Sequence, residues 1–247
     1  MRQLGCSPDR PDARDHLLAL TVTHLPPSVD LTSKCPPVQD QGQLGSCTAN
    51  AIGAALRFCD MKEGKDPGSP ISRLFIYYNE RVMENTVQSD AGAMIRDGIK
   101  SVGHQGACLE TEWPYEITQF ATKPSAACFT DATKWEALSY KRVARTLAQL
   151  KGCLAAGNPI VIGFTVYSSF MTDAVAKSGI MPMSAPSESV EGGHAVLCVG
   201  YDGKGNFILR NSWGTDWGLK GYFLMPEAYL LDPHLSSDFW SITTASG

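Results

Sequence analysis

Four residues of this chain could together carry out acyl chemistry: Gln41, Cys47, His194 and Asn211. Cys47 lies in QDQGQLGSCTANAI, residues 39–52, with Gly-Ser before it and a run of small residues after it. A thiol attacks a carbonyl carbon well only as thiolate, and a helix N-terminus or a neighbouring imidazolium lowers its pKa. The small-residue run predicts a helix beginning at Cys47. An imidazole acting as base needs a third group to fix its ring and tautomer, and Asn211 can accept from the ring N–H of His194. An acyl intermediate carries an oxyanion that requires donors already in place. The Cys47 backbone N–H and the Gln41 side-chain amide are candidates, with Gly42 and Gly45 allowing a tight turn between them. Each residue alone has an ordinary alternative. Cys47 could be structural, His194 a satisfied strand residue, Asn211 a turn cap and Gln41 a surface amide. The combination and its order are what is specific.

The elements that must position these groups are readable in outline. HAVLCVGYDGKGNFILRNSWG, from residue 194, reads as a hairpin with a Gly-rich turn at 202–205. The start of its first strand then lies opposite the end of its second, which brings His194 and Asn211 together. The first half of the chain reads as helical. Residues 47–60 place Ile52, Ala55, Leu56 and Cys59 on one face. SPISRLFIYYNERVMENT reads as a second helix, with Ser69 as N-cap, Pro70 in the first turn, and Ile71, Leu74, Phe75, Tyr78 and Val82 as its apolar stripe. A third helix is expected over 93–102. Further on, Thr146 and Gln149 read as a capping box opening a helix that ends near Gly157-Asn158-Pro159, and IVIGFTV, 160–166, reads as a strand.

At 247 residues and 43% hydrophobic content, the chain can form one large domain or two closely packed lobes. A net charge of -4 implies no basic face, so neither nucleic acid nor an anionic membrane is expected as its main partner. No apolar run approaches the roughly 18 residues of a spanning helix. The opening MRQLGCSPDRPDARDH lacks the apolar stretch of a signal peptide, which leaves a cytoplasmic address or secretion by another route. The eight cysteines include no C-x-x-C, and a chain of this size needs no covalent staples. Mostly free thiols and no zinc site are expected.

The stretches PPVQDQGQLGSC, GGHAV and LRNSWGTDWGLKGYF resemble the papain-like cysteine proteases, and among these a compact bacterial branch. LPPSVDL, the WPYE at 113–116 and NPIVIGF match more weakly, so the resemblance runs from about residue 25 to 225. It implies an α+β, two-lobed fold with a cleft between a helical lobe, mainly 41–115, and a β-rich lobe, mainly 116–225, followed by a tail over 226–247. By the same resemblance Cys47 is the nucleophile, His194 the general base and then acid, Asn211 the residue orienting His194, and Gln41 an oxyanion donor. Trp213 would cover the His194–Asn211 hydrogen bond and Trp217 would line the leaving-group side. Gly92, in SDAGAMIRDG, would lend its backbone to an extended peptide in an antiparallel ladder, and Gly193 would border the same site. Met94 would line the second specificity pocket and Tyr229 would close its bottom. Plain core packing is the alternative for both Trp, for Met94 and for Tyr229. The substrates implied are proteins or peptides, acted on by a monomer without metal or cofactor. Two positions depart from the family pattern: Leu44 stands where a disulfide cysteine is usual, and Thr48 where an aromatic residue is usual. An acyl-transfer enzyme or isopeptidase with the same residues, or an inactive peptide-binding module, remains an alternative.

Residues 1–24 read as an extension ahead of this domain, a possible short propeptide. It is too short to fold as a large inhibitory prodomain. Part of it is expected to cross the cleft in an orientation Cys47 cannot attack, since a tethered segment has a high effective concentration. Leu17, Leu18 and Leu20 of DHLLAL are the expected anchor; the alternative is a clasp on the back of a lobe.

Overall fold

The computed structural model describes residues 3–21, 24–137 and 139–243. In chain order the elements begin with strands β1 (Cys6–Ser7), β2 (Leu17–Leu18) and β3 (Val29–Asp30), then helices α1 (Cys47–Lys62) and α2 (Arg73–Glu84). Strand β4 (Ala93–Met94) leads into helices α3 (Ile95–Gln105) and α4 (Ala126–Ala132). There follow β5 (Ser139–Val143), α5 (Leu147–Ala155), β6 (Ile160–Tyr167), α6 (Asp173–Ser178) and β7 (Val190–Tyr201). Strands β8 (Asn206–Arg210) and β9 (Tyr222–Pro226), helix α7 (Glu227–Leu231) and strand β10 (Ser236–Thr243) complete the described chain.

One sheet of order β2-β5-β10-β6-β7-β8-β9, with β3 on β7, separates two apolar cores. Strand alternation assigns the faces. Val161 on β6 and Ala195, Leu197 and Val199 on β7 face α1, α2 and α3, whereas Ile160, Ile162, Val196 and Cys198 face the second core. Burial on both faces explains why these strands read as continuous apolar runs. Helix α1 is buried nearly all round, and its small residues let α2, α3 and β7 approach it closely. Gly98 on α3 has the same use. A Cβ there would lie 2.4 Å from the Glu80 carboxylate and 2.5 Å from Ile52 Cδ1. Gly98→Ala should therefore cost about 1–3 kcal/mol by overpacking, measurable as a lowered midpoint in thermal melts.

Several elements differ from the sequence expectation. Helix α2 starts at Arg73, capped by Ser72, whose Oγ accepts from the Phe75 N–H at 3.1 Å. Residues 69–71 are not helical, because the Pro70 carbonyl is taken by the Glu110 N–H and Ile71 bridges to Leu109. The buried side of α2 includes Leu74, Phe75, Ile76 and Tyr77, while Val82 is 45% exposed. Thr146 caps α5, but Gln149 closes no reciprocal box; its amide pairs with both backbone groups of Leu20. The segment expected as a C-terminal tail contains β10, which lies between β5 and β6. Trp240 and Ile242 enter one core and Phe239 the other, so this strand is interior.

Candidate active site

Cys47 opens α1 and is wholly buried. The backbone N–H groups of Ala195, Gly5 and Thr48 donate to its sulfur. Ser46 occupies the N-cap position without capping the helix through its side chain. The loop before Cys47 holds its shape without a disulfide. Gln41 Nε2 donates to the Leu44 carbonyl at 2.9 Å, Gly45 N donates to the Asp90 carboxylate at 3.0 Å, and Leu44 itself fills the core. Thr48, in the usually aromatic position, donates through Oγ1 to Glu80 Oε1 at 2.6 Å. Burial behind the thiol pushes Glu80 well above the usual carboxylate range.

The β7–β8 hairpin brings the other pair together. His194 Nε2 lies 2.8 Å from Asn211 Oδ1, an atom that can only accept, so the ring proton is on Nε2. Nδ1 is buried with no hydrogen-bond partner among the described residues, leaving a basic nitrogen for a transferred proton. Trp213 stacks on the His194 ring at 4.8 Å between centroids, and Trp217 meets Trp213 edge-on at 5.1 Å. Burial lowers the pKa of His194 to about 4 against the opposing Asn211 hydrogen bond, and raises that of Cys47 to about 11. Both groups are therefore neutral in this covered state.

Gln41 is fully buried, its Oε1 held by Ser212 Oγ at 2.6 Å. Its Nε2 also donates to the carbonyl of Gln3 at 3.1 Å, because the N-terminal segment passes beside Cys47, between Gly92 and Gly193. The Gly5 carbonyl accepts from Ala93 N–H at 2.8 Å, and β1 pairs with β4 in parallel, Cys6 opposite Ala93. Two glycines make room for this backbone. A Cβ on Gly92 would lie 2.2 Å from the Gly5 carbonyl oxygen, and on Gly193 2.1 Å from the Cys6 carbonyl oxygen. A cavity of about 420 Å³ adjoins the segment, lined by Cys6, Gly163, Phe164, Gly193, Leu235 and Ser237 among others.

Met94 and Tyr229 do not line that cavity. Met94 borders a separate space of about 570 Å³ with Arg10, Asp97 and Lys100. Tyr229 is buried beside Phe164, its hydroxyl donating to the Thr165 carbonyl at 2.6 Å. The expected leucine anchor is also displaced: β2 pairs with β5 at the sheet edge, Leu17 is 65% exposed, and only Leu18 and Leu20 pack against the second core. Charge does the holding nearer the cleft. The Asp9 carboxylate accepts from Arg142, Trp240 Nε1 and the Arg96 N–H, each at 2.9 Å, and Asp15 pairs with Arg96 and Arg142. Sequence reasoning missed Gly5, Asp9 and Arg142. Their only local signal is a glycine among polar residues and a row of acids, which is common in solvated chain. Among the described residues no three His, Cys, Asp or Glu side chains are grouped to hold a metal ion.

Residues 25–230 match the family described as papain family cysteine protease. A protein of Acanthamoeba polyphaga mimivirus, described as an uncharacterized peptidase C1-like protein, is 44% identical over 212 residues, covering 82% of this chain and 68% of the relative. Cathepsin B-like CP3 of Giardia intestinalis is 31% identical over 225 residues, covering 83% and 70%. Among solved structures, xylellain, a cysteine protease from Xylella fastidiosa, superposes with a TM-score of 0.94 at 43% identity, covering 100% of this chain and 98% of that one. Procathepsin B from Trypanosoma congolense shares the fold at 20% identity, with a TM-score of 0.76.

Proposed function

The chain belongs to the papain family of cysteine proteases, and from that premise we propose that Cys47, His194, Asn211 and Gln41 are its catalytic set and residues 3–8 a covering segment over its substrate cleft. The observation that carries the catalytic reading is the His194–Asn211 hydrogen bond at 2.8 Å, which commits one ring nitrogen and leaves the other basic beside the strand whose Ala195 N–H meets the thiol. The chemistry then follows. Nδ1 takes the Cys47 proton, and the sulfur attacks the peptide carbonyl carbon. The Cys47 N–H and Gln41 Nε2 hold the resulting oxyanion. Imidazolium protonates the departing amine as the C–N bond breaks, leaving a thioester. Imidazole then deprotonates a water that attacks the thioester, and the thiol is regenerated. Trp213 keeps solvent from the hydrogen bond that fixes the base.

The covering segment is held in a pose unsuited to attack. The Gly5 N–H donates to the sulfur, while the Gly5 carbonyl turns away to accept from the Ala93 N–H. The strand runs parallel to β4, whereas a substrate is expected to run antiparallel along Gly92, so the covering chain has reversed polarity. The domain division, a mature unit from about residue 25 behind a removable extension, and a monomeric state belong to the same proposal.

Alkylation with iodoacetamide, read at Cys47 by peptide mass spectrometry, tests this reading. With the thiol at about 11, roughly one sulfur in ten thousand is thiolate at pH 7. The fraction rises about tenfold per pH unit until the pH nears that value. Uncovering the cleft readmits water, which lowers the thiol pKa and raises that of His194. The rate profile of an uncovered variant should therefore shift to lower pH; superimposable profiles would refute the covering role.

A further inference from the structure

We infer that Tyr115 is a positioning residue for the oxyanion site, acting through the backbone of Gln41 and the residue before Cys47; this deepens the reading of Gln41 given above. The Tyr115 hydroxyl lies 2.9 Å from the Gln41 carbonyl oxygen and 2.5 Å from Ser46 Oγ. A carbonyl only accepts, so the single phenolic proton goes to Gln41, and Ser46 must donate to the phenol oxygen. Asn50 Nδ2 in turn donates to Ser46 Oγ at 3.1 Å. Arg73 donates to Asn50 Oδ1 at 3.1 Å, which fixes the Asn50 amide orientation. Every hydrogen bond from Arg73 to Gln41 therefore has one direction, and none can reverse without leaving a donor facing a donor.

The ring is held as firmly as its hydroxyl. The Arg73 guanidinium sits 3.8 Å above the Tyr115 ring centre, and is itself fixed by Glu110 at 2.6 Å and the Asp40 carbonyl at 3.0 Å. Gln41, Ser46 and Asn50 are all buried, so water cannot readily replace a lost partner. The two oxyanion donors come from Gln41 and Cys47, six residues apart on a glycine-containing loop. Tyr115 is the group that touches both ends of that loop, at Gln41 and at Ser46. It sets their separation without reaching the substrate.

The test is Tyr115→Phe in the full chain and in a Gly5→Ala chain, whose added Cβ would stand 1.9 Å from the Gly45 carbonyl oxygen and so displace the covering segment, assayed with a short peptide amide. The expected result is a loss of about tenfold in kcat, part of the 100-fold or more typical of an oxyanion donor, with KM within twofold. Iodoacetamide alkylation of Cys47, which needs the thiolate but no oxyanion site, should stay within twofold. In a Gln41→Ala background the same change should cost less than a further twofold, because the group it positions is gone. An unchanged kcat, losses that multiply in the double variant, or a parallel fall in alkylation would each overturn the inference. If Gln41→Ala alone leaves turnover intact, the oxyanion reading fails first; if Gln41→Ala is severe and Tyr115→Phe silent, only the role of Tyr115 fails.

Discussion

Cys47→Ala abolishes hydrolysis of a fluorogenic peptide amide, and His194→Ala is nearly as severe. The expectation rests on chemistry rather than on contact energy. Without Cys47 no thioester can form at the start of α1: Cys59, the next on that helix, lies about three turns away with its sulfur donating to the Ile242 carbonyl at 3.2 Å, and Cys6, whose thiol interacts electrostatically with Cys47, belongs to the proposed covering segment. Without His194 the thiol has no base and the leaving amine no proton donor. Gln41→Ala removes one of the two proposed oxyanion donors and should lower kcat about 100-fold. Asn211→Ala should be milder, since the imidazole remains and loses the partner that fixes its tautomer. These losses will not multiply in combination, because the residues act as one unit. Turnover of each purified variant beside its thermal melt separates catalysis from folding. A folded Cys47→Ala protein with wild-type turnover would end this reading of the site.

What the sequence revealed depended on the kind of interaction. His194 and Asn211 were legible as neighbours because a Gly-rich turn between two apolar runs fixes which strand ends meet. The α1 start was legible from its small residues. The start of α2 was not, because Ser69-Pro70 carries a stronger local cap signal than Ser72, and the contact that overrides it comes from Glu110, forty residues away. The interior position of β10 was hidden for a similar reason: its partners β5 and β6 are remote in sequence, and SSDFWSIT begins with polar residues. Met94 and Tyr229 rest on resemblance alone: Met94 borders a different cavity from the one beside the N-terminal segment and Tyr229 is buried, and their part in substrate binding is a proposal. Tyr115 lies in a recognised stretch, WPYE, but its partners, the Gln41 carbonyl, the Ser46 hydroxyl and the Arg73 guanidinium, are brought close only by the fold. In the sequence, the leucines of DHLLAL point to a hydrophobic anchor for the proposed covering segment. That segment is held instead by backbone threading between glycines and by buried carboxylates on arginines, neither of which has a hydrophobic signature.

That mode of holding makes the covering segment sensitive to a single methyl group. Gly5→Ala should uncover the cleft of the full chain, raising peptide hydrolysis at least tenfold toward the level of a chain lacking residues 1–24. A Cβ on Gly5 would stand 1.9 Å from the Gly45 carbonyl oxygen and 2.7 Å from Gly45 Cα. These are rigid backbone atoms, because the Gly45 N–H is bound to Asp90 and the next two residues are Ser46 and the first residue of α1. The loop cannot easily retreat, so the segment must. Its departure breaks the Gly5–Ala93 and Gln3–Gln41 hydrogen bonds, and with them the amide contact to Cys47. The ionic grip of Asp9 and Asp15 on Arg96 and Arg142 lies farther along the chain and can keep the remainder docked. The substitution therefore separates covering from clasping. If residues 3–8 block substrate, Gly5→Ala activates while the melting temperature stays close to wild type. If they only brace the fold, Gly5→Ala lowers the melting temperature and leaves kcat/KM unchanged or reduced. Because Gly5 contributes no atom to the proposed chemistry, a gain in activity has no other simple source than an opened cleft.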